Sequence, residues 1–431
     1  MPAVQRTLIS EIPSHQGQSV LIRGWVYRVR ALARTTFFIV RDCTGEIQCV
    51  AATDSIMQNR PGPEDALEIW GVVRPDDRAR GGFEIDLESV RVLNPAAESL
   101  PFTAASDIER VSAEIRQEFR PLALRNDRVG DVFRIQAAVL AYFREYLRSQ
   151  HFTEIVTSKI VSGGTEGGTN LFAIRYFERT AYLAQSPQFY KEHGVAGLER
   201  VFETGHVYRA EPHATSRHLT EYYSLDLEMG FIDGPEDVIQ LERQLLHHIF
   251  ARLREEQGEL LARFGVEQLP SMLEVPAWEF ADCMQRLRSK FGRTGLVDDL
   301  DPEAERQLCV MAEEEAGVPA VFVLGFPLSG RPFYTHPRTA DTAAGFDLLF
   351  RGLEITTGGQ RLHRRTDLER ALEGRGLSPA SFESHLKMFD LGMPPHGGLA
   401  IGLERLTAQI LGLSNIRDAC LYPRDRYRLT P

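Results

Sequence analysis

An α+β protein, with a small all-β barrel ahead of a larger mixed domain, is what three features of this sequence predict. Five short β-like runs fill roughly the first hundred residues, a polar connector precedes an amphipathic helical pattern, and the remainder alternates β-branched runs with helical ones. At 431 residues the chain is too long for one ordinary domain, and 43% hydrophobic against 25% charged residues is the balance of a folded protein with real cores.

The barrel is read from QSVLIRGWVYRVR, TTFFIVRD, EIQCVAAT, ALEIWGVVR and FEIDLESVRVL, with a Cys43-Thr44-Gly45 turn between the second and third. Gly24 and Gly71 interrupt strand patterns, where a missing side chain permits the sharp coiling of a closing barrel. Five such strands predict an oligonucleotide-binding (OB) β-barrel over residues 1–100. Residues 101–128 are polar and charged and predict a hinge with one short helix. The third region, 129–431, opens with VGDVFRIQAAVLAYFREYLRSQ, whose Val132, Ile135, Val139, Phe143 and Leu147 recur at helical spacing. It closes with an apolar helix after Gly397-Gly398.

Several classes of function are excluded. The N-terminus has no basic start followed by an apolar stretch, and no run of about 18 apolar residues exists, so neither export nor a membrane span is expected and a cytoplasmic location is. Five scattered cysteines without C-x-x-C spacing suggest neither disulfides nor zinc. A net charge of -11 argues against broad nonspecific nucleic-acid binding while leaving room for a local basic face.

Three segments carry chemistry. Arg200 to Phe231 packs Arg209, Glu211, His213, Arg217, His218, Glu221, Asp226 and Glu228 between two apolar runs, the composition of two antiparallel strands joined by a long polar loop. Fixed guanidinium groups on such a sheet face suit a site where charge develops on phosphate oxygens. FDLLFRGLEITTGGQRLHRR holds Asp347, Glu354 and Arg361 around a Gly358-Gly359 turn. Asp347 and Glu354 are seven apart, so they share a face only if a bend or two strands intervene; a carboxylate pair beside a cationic phosphate site is what magnesium needs. GMPPHGGLAIGLERLTAQILG gives a glycine-rich entry to an apolar helix in which a buried Arg405 requires a carboxylate or a phosphate. Read singly, each segment fits a solvated, ion-paired surface; three with apolar flanks do not. His247 and His248, in a helical stretch, fit structural positions and carry no role.

These segments, with GTEGGTNLF, YLAQSPQFYK, YRAEPHATSRHL and the terminal YPRDRYRLTP, resemble the class IIb aminoacyl-tRNA synthetases, and nearly the whole chain follows the compact, archaeal-type aspartyl pattern. The resemblance implies a class II antiparallel-sheet catalytic domain flanked by helices, an anticodon-binding barrel, a homodimer, and tRNA, L-aspartate and ATP as partners with Mg2+ as cofactor. By position, Arg209 resembles the arginine on the α-phosphate and substrate carboxylate, and Arg405 the one at the γ-phosphate. Arg217 and His218 would sit near the terminal phosphates, Glu211 near the adenine, and Tyr222 under the base. Asp347, Glu354 and Thr357 resemble the magnesium set; Glu166, Ser186, Gln188, Lys191, Asp226 and Arg361 the amino-acid pocket; Arg28, Phe37 and Gln48 the anticodon face.

The implied function is an aspartyl-tRNA synthetase that forms aspartyl-adenylate and charges tRNA(Asp), with tRNA(Asn) as a further acceptor. Lys191 and Arg361 favour a side-chain carboxylate and Asp226 an ammonium. The alternatives are an asparaginyl-tRNA synthetase and a tRNA-independent paralogue that activates aspartate for amide synthesis or a dedicated pathway. The chain departs from the pattern at Ser158, where relatives carry the motif 1 proline. It departs also at EHGVAGLER, whose two glycines allow either a loop or a helix carrying about 1 kcal/mol per glycine. RALARTT lacks a glycine of the family, and Tyr27 and Asp76-Asp77-Arg78 match neither common discriminating set.

Overall fold

Alternation of inward apolar and outward polar residues closes the N-terminal strands on themselves. A computed structural model describes residues 5–54, 61–164, 170–211, 215–295 and 298–430. It divides into two compact units, Met1–Gly130 and Asp131–Thr430. In the first, β1 (Ser19–Ala31), β2 (Thr35–Arg41), β3 (Glu46–Ala52), β4 (Ala66–Pro75) and β5 (Phe83–Asn94) form a closed barrel in the order β1-β2-β3-β5-β4. Val26, Phe38, Val40, Cys49, Leu67, Val73 and Ile85 fill it. The barrel glycines are there for backbone approach: a Cβ at Gly24 would meet the Arg41 carbonyl at 2.3 Å, and one at Gly71 the Asp86 carbonyl at 2.4 Å.

Residues beyond the barrel are tied into this same unit. Helices Ala113–Glu118, capped by Ser112, and Arg120–Ala123 replace the single short helix expected there. Arg125 pairs with Glu64 at 3.1 Å, Arg41 with Asp127 at 2.9 Å, and Asn126 Nδ2 donates to the Ala104 carbonyl at 2.8 Å.

The second unit is built on an eight-stranded sheet. Its strands are β6 (Thr153–Glu154), β10 (Arg200–Tyr208), β11 (Glu221–Gly230), β12 (Ala277–Glu279), β13 (Ala320–Leu324), β14 (Gly345–Phe350), β15 (Leu353–Arg361) and β16 (His396–Gly402). They lie in the order β12-β13-β14-β15-β16-β11-β10-β6, antiparallel except at the β12-β13 and β10-β6 edges. A separate three-stranded sheet joins β7 (Ile160–Val161), β9 (Arg179–Leu183) and β8 (Ala173–Tyr176). Helices Asp127–Ser149 and Pro235–Glu256 supply Ile135, Val139, Phe143, Leu245, Ile249 and Phe250 to a core shared with Leu225, Leu227, Phe346, Leu348, Leu399 and Ile401 of the sheet. Each such side chain contributes about 1.5–3 kcal/mol by leaving water. Alternation along the strands leaves the opposite face for polar groups.

One sequence expectation is corrected here. Gly358-Gly359 is not a turn but lies within β15; the chain reverses at Arg351-Gly352, between β14 and β15. A Cβ on Gly358 would strike the Phe346 ring at 2.4 Å, so the glycine answers to packing. The apolar helix expected after Gly397-Gly398 is present as Leu403–Leu411, with the two glycines in β16 ahead of it. At EHGVAGLER the helical alternative holds: Gln188–Leu198 is helical through Gly194 and Gly197. Gly194 is close to Val201, 3.1 Å from where a Cβ would sit, which compensates its low helix propensity with packing.

One acid sits in the helix layer. Burial pushes Glu242 up to about 8 from an ordinary 4.5, with Asp347 adding to the shift. A raised carboxyl stabilises the fold fully below its unfolded value and loses that contribution as pH climbs through about 8. Glu242→Gln should therefore gain on wild type by about 2–3 kcal/mol between pH 6 and pH 9. Denaturant midpoints at the two pH values check this; a pH-independent difference would refute it.

Candidate active site

The polar sheet face frames a cavity of about 400 Å³. Among its walls are Ser186, Gln188, Lys191, Arg209, Glu211, Arg217, His218, Tyr222, Glu354, Thr357, Arg361 and Arg405, so most of the residues singled out in the catalytic region converge there. Asp226 and Asp347 are buried directly behind this wall, paired to residues of it. Glu166 lies outside the described residues. Arg28, Phe37 and Gln48 belong to the barrel, where Phe38 is fully buried and Phe37 faces outward. Arg28 pairs with Ile39 across β1-β2 and Ile39 with Gln48 across β2-β3, which puts Arg28, Phe37 and Gln48 on one outer face. Gln48 donates to Glu84 at 2.9 Å.

The β10-β11 hairpin supplies one end of the cavity. Arg209 follows β10, its amide bonded to the Thr220 carbonyl at 2.9 Å, and its guanidinium lies 5.8 Å from the Tyr222 ring centre. Glu211 and His218 approach to 3.7 Å, and Arg217 is held by Glu305 on the helix Pro302–Ala316. Along β11, Tyr222, Ser224, Asp226 and Glu228 alternate with core-facing Leu225 and Leu227 and so share the cavity side.

The separation of Asp347 and Glu354 is resolved by two strands and a bulge. Asp347 on β14 is opposite Thr357 on β15, and the register slips between Leu348 and Leu349. The extra residue brings Glu354 and Thr357, three apart, to the same side, with Thr357 Oγ1 donating to Glu354 Oε1 at 3.0 Å. Burial pushes the Asp347 carboxyl above its usual range against the pull of Arg331. Desolvation also opposes ionisation of Glu354, but Arg405, Thr357 and Arg331 outweigh it and hold that carboxyl low. Arg405 thus has its carboxylate: Nη1 lies 3.3 Å from Glu354 Oε1 and donates to the Glu354 carbonyl at 2.9 Å.

At the closed end the charges interlock. Lys191 Nζ is 2.9 Å from Asp226 and 3.4 Å from Glu228, while Arg361 donates from Nε to Glu228 at 3.0 Å and from Nη2 to the Gly398 carbonyl at 2.9 Å. Gly398 is opposite Glu228, and a Cβ there would lie 2.1 Å from the Leu227 carbonyl and 2.3 Å from Glu228 Oε2, so glycine makes room for both the backbone and the carboxylate. Asp226 and Lys191, expected to address opposite ends of a substrate, are also each other's partners.

Sequence reasoning missed Arg331, Glu305 and Glu404. Arg331 lines the cavity and forks onto Asp347 at 2.8 and 2.7 Å; the unmet charge of Asp347 was the available signal. Glu404 accepts from the Tyr223 amide at 3.1 Å, and burial pushes it up to about 7. Among the described residues no group of three His, Cys, Asp or Glu could hold a metal; the oxygen groups that meet here are the Glu354 carboxylate and Thr357 hydroxyl at the cavity and the Asp347 carboxylate behind them. Those hard oxygen donors suit magnesium, which takes its remaining ligands from phosphate oxygens and water.

A sheet-floored cavity with fixed guanidinium groups at one end and a charge-lined pocket at the other is suited to a nucleotide-dependent activating enzyme, and the same chain carries a closed five-stranded barrel. The chain belongs to the class II tRNA synthetases (D, K and N), whose family match spans residues 112–426, and residues 20–93 match the OB-fold nucleic acid binding domain. It is 44% identical to the aspartate--tRNA(Asp/Asn) ligase of Deinococcus radiodurans, over 99% of each chain. It is 43% identical to the ligase of the same name from Thermus thermophilus, over 99% of this chain and 100% of that one. The crystal structure of asparaginyl-tRNA synthetase from Pyrococcus horikoshii complexed with asparaginyl-adenylate superposes with a TM-score of 0.91 at 28% identity, covering 99% of this chain and 100% of that one.

Proposed function

We propose that this protein activates L-aspartate with ATP to aspartyl-adenylate and transfers the aspartyl group to tRNA(Asp). The observation that carries the choice of amino acid is the pair of buried cations, Lys191 and Arg361, at the closed end of the cavity. A desolvated guanidinium with ammonium support favours a carboxylate side chain over a carboxamide. Transfer to tRNA(Asn) as well is the second reading, favoured by the two-tRNA names of the Deinococcus and Thermus relatives. ATP-dependent pyrophosphate exchange tests the first step: aspartate should support it, and exchange with asparagine alone would overturn the assignment.

The residues divide the chemistry between them. Tyr222 stacks on the base with Glu211 at its edge, and Arg217 and His218 meet the terminal phosphates. The substrate carboxylate attacks the α-phosphorus in line and pyrophosphate departs, with Arg209 stabilising charge on the α-phosphate and Arg405 on the γ-phosphate. Asp347, Glu354 and Thr357 would hold Mg2+, which supplies charge neutralisation to the phosphates. Glu166, Ser186, Gln188, Asp226 and Arg361 orient the amino acid. No side chain serves as a nucleophile.

In the barrel, Phe37 with Gln48 and Arg28 forms a stacking platform with polar neighbours for an unpaired anticodon base. Phe37→Ala should weaken tRNA binding by about 1–3 kcal/mol while amino-acid-dependent exchange is retained. Filter binding beside exchange checks this; equal loss in both would contradict it. A homodimer belongs to the same reading, supported by Val156 and Ile160, 94% and 45% exposed, beside Ser158. Among the described residues no helix is long and apolar enough to cross a membrane, and a cytoplasmic location is proposed with the function.

A further inference from the structure

Behind the closed end of the cavity, Gln188 leads into a chain of buried polar groups, Glu192, His385 and His193, to which the activation chemistry assigns no role. Gln188 opens the helix Gln188–Leu198, and its Nε2 lies 2.7 Å from Glu192 Oε1 and 3.4 Å from Glu228 Oε2. Glu192 Oε2 is 3.3 Å from His385 Nε2, and His385 Nδ1 is 2.9 Å from His193 Nε2. The His385 ring stacks on Phe189 at 3.9 Å and meets Phe389 edge-on. Gln188, Glu192, Glu228 and His385 are each at most 2% exposed.

Carboxylates only accept hydrogen bonds, so an amide wedged against two of them must present nitrogen to both. With nitrogen fixed there, the carbonyl oxygen of Gln188 is left to face away from both carboxylates, and the residue lines the cavity. An oxygen is the right atom to receive a substrate ammonium; the flipped amide would offer a donor and repel it. As an anion Glu192 presents acceptors alone, with no O–H to compete for the amide oxygen. Burial opposes its ionisation, but His385 foremost, with His396 and Gln188, holds it down at about 2. His193 is pushed down to about 4 by burial and by His385, so at neutral pH its ring is uncharged; donating from Nε2 to His385 Nδ1, it leaves the His385 ring hydrogen on Nε2, facing Glu192.

We propose that Glu192, held by His385, is a positioning residue for amino-acid recognition: it locks the Gln188 amide with its carbonyl toward the cavity and so builds the ammonium side of the pocket. The inference rests on reading that pocket as the amino-acid site. It concerns recognition of the substrate ammonium, whereas the choice between aspartate and asparagine rests on Lys191 and Arg361, which share Glu228 with Gln188.

Glu192→Gln keeps the shape of the side chain but can donate as well as accept, which releases the amide orientation. His385→Phe keeps the ring stack on Phe189 and removes the nitrogen facing Glu192. Both variants are compared with wild type in pyrophosphate exchange, with succinate, which is aspartate without its ammonium, as a competitive inhibitor. The expected result is an aspartate KM raised about tenfold in either variant, with the ATP KM and the succinate inhibition constant changed less than twofold. Equal weakening of aspartate and succinate, parallel loss of ATP affinity, or an unchanged aspartate KM would overturn the proposal. If one variant does not fold, the other carries the same comparison. If wild-type exchange responds to asparagine alone, the aspartate assignment fails separately, and succinamate replaces succinate in the identical test.

Discussion

Arg209→Ala is expected to slow amino-acid-dependent pyrophosphate exchange by about a hundred- to a thousandfold, the effect of removing one preorganised donor aimed at developing phosphate charge. Arg209 is anchored by its amide to Thr220 at the end of β10 and lies over Tyr222, so its direction is fixed by the hairpin before any substrate arrives. The loss should fall on the rate constant more than on the aspartate KM, because the α-phosphate gains charge only in the transition state. Arg209→Lys keeps a charge but not the planar fork and should recover only part of the rate. A variant whose exchange rate stays within a fewfold of wild type would remove Arg209 from the reaction.

Arg361→Leu is expected to act on both binding and folding. Arg361 is buried and is bonded to Glu228, which is completely buried, so the leucine variant leaves a carboxylate with only Lys191 and Gln188 for compensation. Breaking such a pair by removing one partner costs about 3–5 kcal/mol of stability. For aspartate, loss of a desolvated guanidinium partner costs about 2–5 kcal/mol, which is about 30-fold to several thousandfold in kcat/KM. The ATP KM, set at the other end of the cavity, should move little. Exchange kinetics with each substrate varied, together with a denaturant midpoint, separate the two effects; an aspartate kcat/KM unchanged in a folded variant would contradict the pocket assignment.

Much of this was legible in the sequence because periodicity carries direction. Alternation put one of Phe37 and Phe38 inside the barrel, and the fold makes it Phe38. The polar loop between two apolar runs became the β10-β11 hairpin, and the odd spacing of Asp347 and Glu354 demanded a bend or two strands, of which two strands are found. What was not legible depends on neighbours distant in the chain. The bulge that aligns Glu354 with Thr357 is a property of strand pairing, and Gly358 and Gly398 are dictated by the Phe346 ring and the Glu228 carboxylate across the sheet. Arg331 and His385 come from segments whose composition alone is that of ordinary polar surface. Gly194 and Gly197 lower helix propensity, yet their helix forms because tertiary packing outweighs a local cost.

The most direct measurement is aminoacylation of purified tRNA(Asp) and tRNA(Asn) with labelled aspartate and, in parallel, labelled asparagine. The account predicts aspartate on tRNA(Asp), with aspartate also on tRNA(Asn) under the second reading, and no asparagine on either. Asparagine loaded in place of aspartate, or exchange with aspartate while both tRNAs stay uncharged, would contradict it.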